Sequence, residues 1–160
     1  MLGTGAATNS FRDVEMAKTL MICGANPTEN HPIVGARIKQ AAIKNGLNLI
    51  VVDPRKTELT KYAKIHLQHK AGTNIPLFNS IAYAIIEEGL TDEEFIKNRV
   101  EDFDEYWEFL VDYSPEKVAE ICDVPAEKIR EAARMYATQK PAMSVHGLGM
   151  TEHTQGTESV

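Results

Sequence analysis

The sequence predicts an α/β fold, a Rossmann-like open and mostly parallel sheet flanked by helices. Three observations predict it. Apolar runs at residues 19–24, 48–53 and 142–146 have the length and continuity of strands buried on both faces. Between them lie stretches with helical spacing of apolar residues. Each run stops in a turn rich in Gly, Asn, Asp, Thr or Pro, the punctuation that joins strands to helices.

Residues 3–10 read as a Gly, Thr and Ser turn, and residues 13–17 as a short helix or turn. Gly3-x-Gly5-x-x-Thr8 has the outline of a dinucleotide fingerprint, but it precedes the first strand instead of following it. Strand one, 19–24, ends at Gly24. A helix is expected over 32–45: Pro32 suits its first turn, Val34, Ile38, Ala41 and Ala42 form the inward stripe, and Asn45-Gly46 stops it. Strand two follows over 48–53. Strand, helix and strand within about thirty residues make a βαβ unit with a right-handed crossover.

Residues 56–63 suit a short helix and 65–69 a short third strand. A largely apolar helix is expected over 75–88, with Phe78, Ile81, Ala82 and Ile85 as its stripe and Gly89 as its stop. Thr91-x-x-Glu94 reads as a capping box opening the next helix. Helices are also expected over 102–113 (Phe103, Tyr106, Trp107 and Leu110 on one face), 115–122, and 125–138 (Ile129, Ala132, Ala133 and Tyr136 inward). The stretch 91–138 is thus an all-helical insertion between two parts of the sheet. A last strand, 142–146, runs into Gly147-Leu148-Gly149.

Composition excludes several classes. The 160 residues suffice for one domain with a real core. Apolar content is 43%, charged content 25%, and net charge −6, which disfavours a nucleic-acid backbone as partner. No apolar run approaches the roughly 18 residues that span a bilayer. Nothing at the N-terminus marks export, so a cytoplasmic location is expected. Cys23 and Cys122 each close an apolar element and read as buried free thiols. Without a Cys-x-x-Cys, an iron–sulfur or zinc site within the chain is not expected. Both termini read as mid-chain, which suggests a piece of a longer protein.

Chemistry is expected at the turns, because ligands of open parallel sheets sit beyond the carboxyl ends of the strands. In the first turn Gly24 permits close backbone approach, Asn26 and Asn30 offer hydrogen bonds, and the helix start after His31 and Pro32 offers unpaired N–H groups to an anion. A capped helix start without ligand fits this turn equally well. In the second, Asp53 stands where a carboxylate can accept from ribose hydroxyls, and Arg55 can meet a phosphate or stack on a base; a surface Asp–Arg pair is the alternative. In the third, Asn74 could grip a base edge or cap a helix. In the fourth, Gly147 and Gly149 permit backbone approach to a ligand or simply form a turn. The five histidines do not suggest a metal site: His66 and His69 are three apart on a predicted strand and face opposite sides. The acidic runs at 92–94 and 101–105 read as solvated helix starts. No Ser/His/Asp or Cys/His arrangement stands out.

Together, Gly24-x-Asn26-Pro27-x-x-x-His31-Pro32, Asp53-Pro54-Arg55-Lys56-Thr57, Gly72-Thr73-Asn74 and Gly147-x-Gly149-x-Thr151 resemble the molybdopterin oxidoreductases, and among them the formate dehydrogenase catalytic (alpha) subunit. Gly5-Ala6-Ala7-Thr8-Asn9-Ser10, residues 87–90 and residues 129–137 fit the same pattern. The resemblance covers essentially the whole chain.

It implies a domain, residues 1–160, that holds one of two molybdopterin guanine dinucleotides carried around molybdenum or tungsten. The Asn26-Pro27 turn, with Gly24, Asn30 and His31, would lie along the diphosphate. Asp53, Pro54 and Arg55 would meet the ribose and guanine end. Gly72, Thr73 and Asn74 would meet the guanine edge, and Gly147, Gly149 and Thr151 would lie near the pterin. The family's metal-ligating cysteine or selenocysteine, its iron–sulfur cysteines and its second dinucleotide-binding domain match nothing here. The resemblance therefore implies an internal fragment, inactive alone, with the remaining domains of the catalytic subunit and electron-transfer subunits as partners. Two other readings stand beside it: a stand-alone Rossmann-like nucleotide-binding module, and an interaction module working through the helices of 91–138.

Overall fold

The computed structural model describes residues 8–160, so most of the expected turn at 3–10 lies outside the described residues. Four parallel strands form one sheet: β1 (Thr19–Cys23), β2 (Asn48–Val52), β3 (Ile65–Leu67) and β4 (Ala142–His146), in the order β3-β2-β1-β4. Strands β1 and β2 pair from Thr19–Asn48 to Cys23–Val52, and β1 and β4 from Thr19–Ala142 to Cys23–His146.

The central strands are apolar throughout because both faces are covered, as in doubly wound sheets. Leu20, Ile22, Leu49 and Val51 point to one side, where they meet Val14, Ile38 and Ala41. These three come from α1 (Phe11–Met16) and α3 (Pro32–Lys44). Met21, Cys23, Ile50 and Val52 point to the other, toward α4 (Asn74–Glu87), α7 (Pro115–Cys122) and α8 (Ala126–Thr138). Each fully buried Leu, Ile or Val side chain contributes about 1.5–3 kcal/mol.

Four local expectations are corrected. The polar stretch after β1 is not a loop: Pro27–Asn30 forms one helical turn, α2, against α3, and a Cβ on Gly35 would come within 2.9 Å of the Pro27 carbonyl oxygen. The buried face of α4 is Leu77, Ile81 and Ala84 with Ser80, while Phe78 and Ile85 lie at its border. Packing against α8 and α7 together rotates the inward face away from the predicted stripe. The helix α5 (Glu93–Arg99) is capped by Asp92, whose Oδ1 accepts from Phe95 N at 2.9 Å, and not by Thr91. The C-terminal stretch, to which the sequence reading assigns no helix, carries two short helical turns, α9 (Leu148–Thr151) and α10 (Gly156–Ser159).

Every element between α4 and β4 is helical, but the segment divides in two. Helices α7 and α8 are a covering layer of the sheet: Val118, Cys122, Ile129, Ala132 and Ala133 belong to its core. Arg130 ties this layer to α4, bridging Glu87 at 2.7 Å, Glu88 at 3.3 Å and Glu116 at 2.9 Å. Only α5 and α6 (Phe103–Leu110) stand outward. Helix α5 buries no residue, and α6 is anchored by Leu110 and by Trp107, which stacks on Tyr83 at 5.2 Å.

Candidate functional site

Because all four strands run in parallel, the turns after β1, β2, β3 and β4 lie on one edge of the sheet. From β1 the chain moves outward through β2 to β3, then returns by α4–α8 to the opposite side of β1. The direction reverses between β1 and β4. In open α/β sheets the crevice outside the carboxyl ends at such a reversal is where ligands bind.

A continuous hydrogen-bond chain links all four turns across this edge. Gly24 N donates to Val52 O of β2 at 2.9 Å, and Gly149 N donates to Gly24 O at 2.9 Å. Asn74 Nδ2 donates to Gly149 O at 3.1 Å, and Asn74 Oδ1 faces His69 Nε2 at 2.8 Å. Strands β3 and β4 stand three strand spacings apart, about 14 Å. The contact between Asn74 and Gly149 therefore requires the turns to lean toward each other over β1 and β2.

The glycines here approach other backbone. Gly24 has φ +54°, and a Cβ built on it would lie 2.6 Å from the Gly149 carbonyl carbon. A Cβ on Gly149 would lie 2.7 Å from Gly24 Cα. The β1 and β4 turns thus cross in contact, a reason for glycine that the sequence reading, which had weighed a ligand or a plain turn, did not contain. Gly72 differs: it has open space around it, and its φ of +84° alone calls for glycine.

The remaining side chains divide into buried and exposed sets. Asn26 is buried and accepts from Thr28 Oγ1 at 2.7 Å, and Pro27 is buried beside it. Asn30 and His31 are exposed at the start of α3, whose first-turn N–H groups at Ile33 and Val34 have no acceptor within the helix. Asp53 is 2% exposed. Its Oδ1 accepts from Arg55 N at 2.8 Å and Arg55 Nε at 3.4 Å, while the Arg55 side chain stays 70% exposed. Asp53 thus shapes its own turn and leaves the Arg55 guanidinium projecting from it. Thr73 Oγ1 donates to Lys70 O at 2.7 Å, and Thr151 is exposed after the β4 turn.

Asn74 is 6% exposed and has two internal partners. Expected at a guanine edge or as a cap, it is built into the junction between turns. His69, considered by sequence only as a metal ligand, lies beyond the end of β3 and is the residue the sequence reading missed. No periodicity marks it, because it belongs to no regular element.

Beside this edge is a polar pocket of about 410 Å³, lined by Pro54, His66, His69, Lys70, Asp123 and Lys128, among others. His66 Nε2 contacts Asp53 O at 2.9 Å, and Gln68 Nε2 donates to Pro54 O at 3.0 Å, which holds the β2 and β3 turns together. Neither cysteine is poised to act. Cys23 is 3% exposed, and burial pushes its thiol up to about 12. Burial also raises the Cys122 thiol. Among the described residues no three His, Cys, Asp or Glu side chains are grouped to hold a metal ion, and no helix is long and apolar enough to cross a membrane.

Fold and edge together define an α/β domain whose four turns after the strands meet on one edge of a parallel sheet. The sequence profile described as molybdopterin oxidoreductase matches residues 3–160, and the chain belongs to that family. It is 46% identical over 158 residues to the F420-dependent formate dehydrogenase 2 subunit alpha of Methanococcus maripaludis, a match covering 99% of this chain and 23% of that protein. It is 35% identical to the periplasmic nitrate reductase of Desulfovibrio desulfuricans, over 96% of this chain and 22% of the relative. Among solved structures, acetylene hydratase from Pelobacter acetylenicus superposes with a TM-score of 0.83 at 35% identity, over 94% of this chain and 20% of that one. The chain spans less than a quarter of the length of these relatives.

Proposed function

We propose that residues 1–160 form one cofactor-binding domain that holds the diphosphate and guanosine parts of a molybdopterin guanine dinucleotide, within an oxidoreductase that converts formate to carbon dioxide. The observation that carries the reading is the convergence of four turns at the reversal between β1 and β4, in a chain of the molybdopterin oxidoreductase family. The formate dehydrogenase relative supports the substrate.

The donor set fits an anionic, ribose-bearing ligand. The free N–H groups at the start of α3, with Asn30 and His31 beside them, suit a diphosphate. Arg55 offers an exposed guanidinium for phosphate or base stacking, and Asp53 a carboxylate for ribose hydroxyls. Gly24, Gly147 and Gly149 set the floor between β1 and β4, with Asn26 and Pro27 fixing one wall and Pro54, Gly72, Thr73, Asn74 and Thr151 the others. When bound, the molybdenum or tungsten of the cofactor supplies the two-electron chemistry. This chain's residues hold and orient the dinucleotide and keep the Cys23 thiol in the core, away from that chemistry. We assign no catalytic residue or iron–sulfur cluster to residues 1–160, which do not oxidise formate alone. The partners are the other domains of the catalytic subunit and electron-transfer subunits, in the cytoplasm.

Calorimetric titration of GDP, and separately NAD, into the chain tests this. GDP is expected to bind, with Arg55→Ala weakening it about tenfold through loss of a charge-assisted contact while leaving the thermal midpoint unchanged. Preference for NAD, or equal GDP affinity in Arg55→Ala, would count against the reading.

A further inference from the structure

His69 is only 4% exposed, lies outside every helix and strand, and ends the hydrogen-bond chain that joins the four turns. Its protonation at Nε2 follows from its partners. Gly149 O can only accept, so the Asn74 amide must turn its NH2 group there and its oxygen toward His69. Nε2 must then carry a hydrogen and donate it. On the other side of the ring, Nδ1 faces Leu67 O at 3.4 Å, at the end of β3. The ring thus spans from β3 to Asn74, and through Asn74 to the place where Gly149 crosses Gly24. The same ring lines the polar pocket beside Pro54 and Lys70.

We propose that His69 is a positioning residue of the dinucleotide cradle, whose Nε2–H holds Asn74 in the orientation that pins the β4 turn onto Gly24. The inference rests on the function proposed above and adds a residue to it. Without this donor, Asn74 Oδ1 becomes a buried acceptor lacking a partner, and the amide can relieve that only by rotating away from Gly149. The β4 turn then loses its tie to the start of α4, and the Gly149 N–H bond to Gly24 O opens more readily. The two sides of the crevice are no longer fixed relative to each other, and a ligand that touches both meets a looser site.

The test compares His69→Leu, which removes the donor, with His69→Gln, whose amide NH2 reaches about as far as Nε2. Two quantities are read on the 160-residue chain: GDP affinity by calorimetry, and amide hydrogen exchange at Gly149 and Gly24 without ligand. His69→Leu is expected to bind GDP about tenfold more weakly and to exchange faster at Gly149, while His69→Gln restores both to within about threefold. General destabilisation would lower the midpoint of both variants without separating them at Gly149. Affinity and exchange in His69→Leu equal to wild type would overturn the inference. If His69→Leu does not fold, His69→Asn, too short to reach Asn74, replaces it, and identical behaviour of Asn and Gln variants would overturn the proposal. If the wild-type chain fails to bind GDP, the proposed function falls, while exchange at Gly149 still decides the role of His69.

Discussion

The crossing of the β1 and β4 turns can be probed with a single methyl group. Gly24→Ala places a Cβ 2.6 Å from the Gly149 carbonyl carbon, 2.8 Å from its Cα and 2.9 Å from Met150 N. These are backbone atoms, which cannot rotate aside as a flexible side chain would. The residue also sits at φ +54°. The left-handed backbone costs a non-glycine residue about 1–2 kcal/mol, and forcing a methyl group into a packed contact adds about 1–3 kcal/mol. The expected loss is about 2–5 kcal/mol, a large share of the roughly 5–15 kcal/mol that stabilises a domain.

Gly46 supplies the internal control. It has φ +70° and nothing within 4 Å of a built Cβ, so Gly46→Ala carries the backbone cost alone, about 1–2 kcal/mol. Urea unfolding followed by circular dichroism gives both values. The excess loss in Gly24→Ala measures the steric cost of the crossing. Equal losses in the two variants would refute the claim that the turns touch.

Three further outcomes are expected. The Glu88 carboxyl lies below its ordinary 4.5 because Arg134, and then Arg130, donate hydrogen bonds to it. A carboxyl lowered by folding stabilises above its ordinary value, and that contribution is lost as pH falls through the lowered one. Glu88→Gln should therefore cost about 1 kcal/mol at pH 7, with the gap to wild type closing as pH falls below the ordinary 4.5 in urea midpoints measured across pH; a gap independent of pH would exclude the ion pairs as its source. Trp107→Ala should speed amide exchange in α5 and α6 while leaving β1 and β2 protected, because Trp107 holds α6 to Tyr83 at 5.2 Å; uniform exchange across the chain would show that α6 does not loosen separately. Cys23 and Cys122 should resist a thiol reagent in the native chain and both react in urea, as burial raises both thiols; fast native labelling would place one of them at the surface.

Elements governed by local rules were legible. Strand β4, the start of α3 at Pro32, and the stops at Gly46 and Gly89, both with positive φ, follow from hydrophobic runs and from residue types that restrict or free the backbone. The turns after β1, β2 and β4 were legible for the same reason, since each ends an apolar run, whereas β3 stops at Leu67, two residues short of the expected strand. The inward face of α4 was not, because it depends on which helices lie across it. The cap of α5 was misread because Thr91 and Asp92 are both good caps, and only the backbone path selects Asp92.

The sequence by itself determined an α/β chain whose polar turns share the carboxyl edge of a parallel sheet, because strand length, continuous hydrophobicity and glycine stops are local properties. It also determined the motifs by which the family is recognised. Tertiary structure alone decided the strand order β3-β2-β1-β4, and with it the reversal between β1 and β4. It decided that Gly24 and Gly149 are glycines because they touch each other, and that Asn74 and His69 join turns whose strands lie at opposite ends of the sheet. The contacts that Gly149 makes with Gly24 and Asn74 link residues 125 and 75 positions apart through backbone oxygens that every residue carries, so no pattern of side chains along the chain could announce them.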